Sequence, residues 1–345
     1  MTQITDSLAT HEMARLAGRL ASGLPGRRTM TMLAPCLSLA VAMVVFYAVP
    51  PHPIPTLLDI RLVAVHTMIV GTAAMGMTFV IISGGIDLSV GSAIALVSVA
   101  AALVLERGFG LVPAFAVALG TGALCGLYNA VLITGLRLPP FIATLGTLGF
   151  YRGVAKWISG SIPITAPTLG LERWVHPIPQ PAWLLFAPVV WLMAAIGVLL
   201  ALVLKYSVLG QHTYAIGSSE PTARLCGIRV ARTKVWIFVL AGVLTGMAGL
   251  MQFARLTQGD PTVAIGLELD VIAAVVIGGG SLAGGQGSIL GTLAGAFLMA
   301  YLRNRCTVLG WPNYVEEMIV GHIIIVAVAV DHWRMRRGDG DGAGA

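Results

Sequence analysis

The sequence predicts an all-α fold, a polytopic bundle of about ten transmembrane helices, roughly eight to ten with some short or broken. Three observations carry this. Hydrophobic residues make up 57% of the 345 residues, while charged residues make up 10%. A soluble domain carries about a quarter charged residues because its surface faces water. Mean hydropathy is +0.88, and the apolar residues fall in uncharged runs near the roughly 20 residues that cross a bilayer core.

The first run is Thr31 to Val49, ended by Pro50, Pro51, Pro53 and Pro55. Leu62 to Ile82 and Leu88 to Leu105 follow, and Gly108 to Leu136 holds the fourth span. Phe141 to Ile158 is shorter and carries Arg152 and Lys156, which fits a tilted, re-entrant or buried helix. Ser159 to Pro181 is Pro-rich and reads as an exposed loop. Ala182 to Leu204 is a clean span, Lys205 to Lys234 is polar and basic, and Val235 to Ala254 spans again. Val271 to Leu302 is uncharged but too long for one ordinary helix. Its clusters Gly278-Gly279-Gly280 and Gly284-Gly285 predict two shorter helices with a break. Tyr314 to Val330 is the last segment.

Basic residues favour the cytoplasmic side. They gather before the first span (Arg15, Arg19, Arg27, Arg28), in the central polar stretch, and after the last span (Arg334, Arg336, Arg337), and these clusters hold more than half of the 21 Lys and Arg residues. Both termini are therefore expected inside, which requires an even number of crossings, and the 159–181 loop outside. The chain divides into a basic cytoplasmic tail at 1–29, a membrane domain at 30–332 and a polar, Gly-rich tail at 333–345 expected to be disordered. No cleavable signal peptide is expected, because the first apolar run is a full span. Thr10 to Leu20 reads as either a short amphipathic surface helix or a frayed tail.

Several chemistries have little support. Cys36 and Cys125 lie in apolar runs, Cys226 and Cys306 near charged segments, and no pair has C-x-x-C spacing, so buried inert thiols are expected. The seven histidines are scattered without an H-E-x-x-H pattern, so no metal is expected. No phosphate loop is present, since Gly284-Gly285-Gln286-Gly287 lacks the lysine that meets phosphates. Neither a nucleophile elbow nor a convergent catalytic set is found. The pI of about 9.4 is explained by orientation signals and not by nucleic-acid binding.

The sharpest local feature is Ser83-Gly84-Gly85-Ile86-Asp87-Leu88-Ser89-Val90-Gly91, between two apolar runs. Gly84 and Gly85 suit a helix end, and Asp87 or Ser89 suits the cap of the next helix. An acid at membrane depth is costly and marks a function or a partner, though capping alone accounts for it. Asn129 lies in an apolar span, and Thr144 and Thr147 share a helix face. Amide and hydroxyl groups suit an uncharged solute rich in donors and acceptors, although interhelical bonding is their commoner use. Asp87, Ser89, Asn129 and Thr144 are thus the candidate lining of a solute path. Glycines four apart (Gly122 and Gly126; Gly242 and Gly246; Gly287, Gly291 and Gly295) permit close helix approach, with packing inside one subunit the ordinary reading. Asp260, Glu268 and Asp270 gather near a predicted external turn and read as a solvated loop or a partner contact. In the central stretch, Pro221 suits a first helical turn after Ser219 or Glu220, Thr222 to Leu225 a short helix, and Gly227 its end. Held outside the membrane between spans, such a helix is either a lever for rigid-body tilting or a plain loop.

Four segments occur in order: GMTFVIISGGIDLSVGSAIAL (76–96), LPPFIATLGTLGFYRGVA (138–155), AIGSSEPTARLCGI (215–228) and LDVIAAVVIGGGSLAGGQGSILGTLAGAF (269–297). Together they resemble the ribose-type permease subunits of bacterial ATP-binding-cassette sugar importers, over about residues 30 to 331. The resemblance implies a multi-pass inner-membrane protein with no catalysis and no cofactor of its own, ATP being bound by a partner. The implied partners are a cytoplasmic ATPase, a periplasmic sugar-binding protein and a second permease, identical or different. It also implies that about 213–230 is the segment coupled to the ATPase, placing Gly217, Glu220, Ala223, Arg224, Gly227 and Ile228 in it. Pro221 and Thr222 depart from the small alanines common there. Branched-chain amino acid permeases are related, so such a solute is the alternative cargo. An ATP-independent secondary transporter is a further alternative, weakened because Asp87 is the one acid clearly set between apolar runs.

Overall fold

The computed structural model describes residues 56–179 and 183–340. The expected first span, the N-terminal tail and Cys36 lie outside the described residues. Twelve helices are found among the described ones. In chain order they are α1 (Leu57–Ile82), α2 (Val90–Glu106), α3 (Leu111–Thr134), α4 (Pro140–Ser159), α5 (Leu171–Val175), α6 (Pro188–Tyr206), α7 (Val208–Ser218), α8 (Glu220–Leu225), α9 (Val230–Leu256), α10 (Leu267–Ile277), α11 (Ile289–Val308) and α12 (Asn313–Gly340). Two short strands, β1 (Ile164–Thr165) and β2 (Gln258–Gly259), pair antiparallel, with Ile164 opposite Gly259. Each of the second to tenth predicted segments corresponds to a helix. By length and composition α1, α3, α6 and α9 are apolar enough to cross a membrane, and α2 is a shorter apolar helix.

Helix α1 is the axis of the bundle. Thr56 opens it with a reciprocal cap: its hydroxyl accepts the Asp59 N–H at 3.2 Å and its own N–H donates to Asp59 Oδ2 at 2.8 Å. Apart from Arg61 and His66 the helix carries no charged or ionisable side chain beyond that first turn, as expected of a helix surrounded by protein, and it is buried from Val63 to Ile82 with the exception of His66. Helices α9, α11, α10, α6 and α7 pack around it, while α2 lies against α3, α4 and α9. Helices α3 and α9 approach closely along their glycines. A Cβ on Gly126 would stand 2.1 Å from the Phe238 carbonyl oxygen, and one on Gly122 would stand 2.3 Å from that of Gly242. The repeated glycines therefore serve packing within one subunit. Gly291 and Gly295 do the same for α10 and α11, against Gly278 and Ala274.

Several expectations are revised. The central polar stretch holds a second helix, α7, opened by Ser207 accepting the Gly210 N–H at 3.1 Å. The 159–181 loop contains β1 and α5 and is tied to the stretch after α9 by the β1–β2 pairing. Helix α12 runs on to Gly340, through residues 333–340 that the sequence assigns to a disordered tail. Trp333 to Arg337 includes Met and Arg, good helix formers that let a preceding helix continue. Cys125 and Cys306 are buried as expected, but Cys226 is exposed because it caps the short surface helix α8. Asp270 is not in a solvated turn. It is buried in the first turn of α10 and pairs at 2.6 Å with Arg303 of α11, which also reaches Glu316 of α12.

Candidate functional site

The loop between α1 and α2 is shaped by its glycines. Helix α1 closes with the Gly84 N–H donating to Ile81 O at 2.9 Å and the Gly85 N–H donating to Val80 O at 3.0 Å. Gly84 has φ 80°, a left-handed conformation that glycine adopts without a steric penalty. The chain then turns, and Asp87 Oδ1 accepts the Ser89 N–H at 2.8 Å and the Ser89 hydroxyl at 2.6 Å. Asp87 thus caps the entry to α2, whereas the Ser89 side chain faces Asp87 and makes no cap bond to the helix.

From there the polar contacts run inward. Asn129 Nδ2 on α3 donates to Ser89 Oγ at 2.9 Å and to Asp87 Oδ2 at 3.3 Å. A carboxylate offers only acceptors, which fixes the amide with its nitrogen toward Asp87. Its oxygen then accepts from Thr147 Oγ1 of α4 at 2.7 Å. The Tyr151 hydroxyl lies 3.0 Å from that oxygen and 2.8 Å from the Cys125 carbonyl. Thr144 Oγ1 lies 3.0 Å from the Ile86 carbonyl and 2.9 Å from its own Pro140 carbonyl. The four residues singled out from sequence are therefore brought together and buried, in a network that ties the loop to α3 and α4. Tyr151 was not anticipated. Its signal is spacing, since it follows Thr147 by four and completes one polar face with Thr144.

The second assembly lies at the far end of α7. Ser219 caps α8, accepting the Thr222 N–H at 3.3 Å, and Pro221 sits in the first turn. Gly227, at φ 83°, closes the helix. The departures at Pro221 and Thr222 therefore suit the helix they stand in. Glu220 is clamped: Oε1 accepts from Arg224 Nη2 at 2.6 Å, and Oε2 accepts from Lys234 Nζ of α9 at 2.7 Å. These bonds, from Lys234 first and Arg224 second, hold the Glu220 carboxyl below the usual carboxylate range. Ala223 is buried with Ile216 and Val230, and Ile228 packs against them.

Gly217 joins the two assemblies. Its Cα side presses on the end of α1 and on the turn between α10 and α11, where the Gly285 N–H donates to Ile82 O at 2.8 Å. A Cβ at Gly217 would stand 1.7 Å from Ile82 O and 2.4 Å from Gly285 N. Nearby, the Tyr214 hydroxyl donates to Gly287 O at 2.7 Å. Three glycine-bearing segments thus meet as bare backbone: α7, the α1–α2 loop and the α10–α11 turn. Sequence reasoning placed Gly217 in the coupling segment without this contact. Among the described residues no cluster of His, Cys, Asp or Glu is suited to a metal.

Comparison with known proteins adds the following. Residues 60–328 match the family described as branched-chain amino acid transport system / permease component. The ribose import permease protein RbsC of Bacillus subtilis (strain 168) is 38% identical over 313 residues, covering 88% of this chain and 93% of the relative. RbsC of Escherichia coli (strain K12) is 37% identical over 273 residues, 77% of this chain and 83% of the relative. The autoinducer 2 import system permease protein LsrC of Yersinia pseudotuberculosis serotype O:3 (strain YPIII) is 34% identical over 263 residues, 76% of this chain and 74% of the relative. No solved structure matches the chain.

Proposed function

The chain belongs to the branched-chain amino acid transport system / permease component family, and we propose that it is the membrane subunit of an ATP-binding-cassette importer that brings a ribose-like monosaccharide into the cytoplasm. The observation that carries this is the 38% identity to a ribose import permease across 88% of the chain. Although the family's description mentions branched-chain amino acids, relatives whose names specify ribose favour a sugar. Autoinducer 2, in the name of a further relative, keeps the choice among small solutes open to direct assay.

In this reading the protein sits in the bacterial inner membrane with about ten crossings and both termini inside, by the basic-residue rule. It carries no catalytic residues, and ATP is bound and hydrolysed by a cytoplasmic partner. A periplasmic binding protein delivers the sugar, and a second permease copy or paralogue completes the path. Helix α8 and its flanks, from Gly217 to Ile228, dock on the ATPase. The clamp on Glu220 supports this, because it makes α8 one rigid piece with α9, so that a push on α8 moves a spanning helix. The Asp87, Ser89, Asn129 and Thr144 network forms a closed wall of the path, its bonds exchangeable for those of sugar hydroxyls.

The test is purification in mild detergent with identification of what accompanies the chain, followed by reconstitution with ATPase and binding protein. An accompanying ATPase and ATP-dependent uptake of labelled ribose is the expected result. A chain that comes alone and moves solute without ATP overturns the importer reading. ATP-dependent uptake of a branched-chain amino acid, with none of ribose, overturns the cargo alone.

A further inference from the structure

A cavity of about 600 Å³ opens beside α8, between it, the first turns of α9 and the turn joining α3 to α4. Its charged lining is Arg137, Arg224, Lys234 and Glu220. Both oxygens of Glu220 are already engaged, one by Arg224 and one by Lys234. That leaves three cations with one anion. Arg137 has no side-chain partner among the described residues, and it is exposed at the cavity edge.

The backbone at Arg137 is unusual. Helix α3 ends with the Gly135 N–H donating to Val131 O at 2.8 Å and the Leu138 N–H donating back to Leu132 O at 3.3 Å, and the residue before Leu138 is left-handed. That residue is Arg137, at φ 57°. Glycine is the ordinary occupant of such a position, because a Cβ there is strained. Of the five non-glycine residues at positive φ among the described residues, Arg137 alone lines this cavity, which makes its guanidinium the group to examine there. Guanidinium groups pair best with carboxylates and phosphates, whose geometry they match in a two-pronged contact.

We infer that the Leu136–Pro139 turn is a second half of the ATPase contact, in which Arg137 receives a carboxylate from an acidic segment of the ATPase that enters this cavity. The inference rests on the importer reading. Two observations select this occupant: the excess of cations calls for an acidic group, and the cavity shares Glu220 and Arg224 with the proposed docking helix. The contact would join α8 to the α3–α4 turn, so one docked partner would grip both the lever and the helices that hold Asn129 and Thr144.

The experiment measures binding of the purified ATPase to the full chain in nanodiscs, over a salt series, for the unaltered protein, Arg137→Lys, Arg137→Gly and Arg137→Glu. Arg137→Gly removes the charge and relieves the strained backbone together. It is expected to melt no lower than the unaltered protein while binding the ATPase about tenfold more weakly, with a flatter salt dependence. Arg137→Glu should bind more weakly still, and Arg137→Lys should fall between Gly and Arg. If the unaltered chain binds and Arg137→Gly and Arg137→Glu bind equally well, this inference is overturned while the importer reading stands. If the unaltered chain binds no ATPase, the importer reading fails and the inference with it.

Discussion

Gly217→Ala places one methyl group where the structure has no room for it. The added Cβ would lie 1.7 Å from Ile82 O and 2.4 Å from Gly285 N, and these atoms are the acceptor and donor of a single backbone hydrogen bond. Ordinary contact begins near 3.4 Å, so the shortfall at Ile82 O is about 1.7 Å. Both neighbours are backbone, and neither can rotate away as a side chain would. Overpacking costs about 1–3 kcal/mol, and loss of the Gly285 bond adds about 1 kcal/mol. The expected destabilisation is therefore about 2–4 kcal/mol, partly offset by the better helix propensity of alanine, ~1 kcal/mol. The alternative for the protein is to let α7 retreat, which carries α8 away from its seat. The assay is a thermal melt of the purified variant beside ATP-dependent uptake in proteoliposomes. Gly146→Ala on α4 is the matched control, since a Cβ there meets nothing within 4 Å; it should be neutral or slightly stabilising. A Gly217→Ala protein that melts and transports like the control refutes the claim that α7 is locked to the end of α1.

Other consequences follow from single contacts. Asn129→Leu removes a partner from Ser89, Asp87, Thr147 and Tyr151 together, and should lower stability by about 1–3 kcal/mol in a denaturation series. Glu220→Lys sets a third cation beside Arg224 and Lys234, while Gly227→Pro demands a negative φ where the backbone has 83°; each should abolish uptake with membrane levels unchanged on immunoblots. The Glu220 carboxyl is held below its ordinary 4.5 by Lys234 and Arg224, so its stabilising contribution is complete above that value and fades as pH falls through the lower folded value. Hydrogen-exchange protection factors at residues 219–228, corrected for the intrinsic rate at each pH, should therefore be unaltered by this group down to about pH 4.5 and fall only below it. Arg303→Ala strands buried Asp270 and Glu316 and should cost about 3–5 kcal/mol, seen as a lower melting temperature.

What was legible in the sequence is what local rules govern. The α10–α11 break could be read because glycine clusters interrupt an apolar run, and α8 because Ser219, Pro221 and Gly227 each mark a helix end. The Asp87 cap could be read for the same reason. Contacts set by distant parts of the chain could not. Asp270 looked like a loop acid because Arg303 lies 33 positions on and Glu316 on a third helix. Helix α7 has too little apolar periodicity to announce itself, because Gln211, His212 and Thr213 interrupt it; packing against α1 and α6 explains it. The candidate path residues were found by their chemistry alone, and their mutual bonding came only with the fold. Arg137 gave no signal at all, since a left-handed arginine looks in sequence like any other.

The α1–α2 loop is where the two assemblies meet. At its upstream end, Ile82 O receives the Gly285 N–H, against which Gly217 of α7 is packed. Four residues later, Ile86 O faces Thr144 of α4, and Asp87 follows with its bonds to Ser89 and Asn129. A displacement of α7 thus reaches the polar network through a span of five residues, with no side chain of its own to absorb the motion at the first contact. A longer or softer linkage would dissipate a movement of an ångström or two in rotamer changes. Bare backbone against bare backbone has no rotamers to change, so a movement there acts directly on the 2.8 Å bond from Gly285 to Ile82. The glycines at 84, 217 and 285 therefore bring α7, the end of α1 and the α10–α11 turn into direct backbone contact, and under the importer reading this joint is the route by which events at the surface helix α8 would reach the contacts around Asn129.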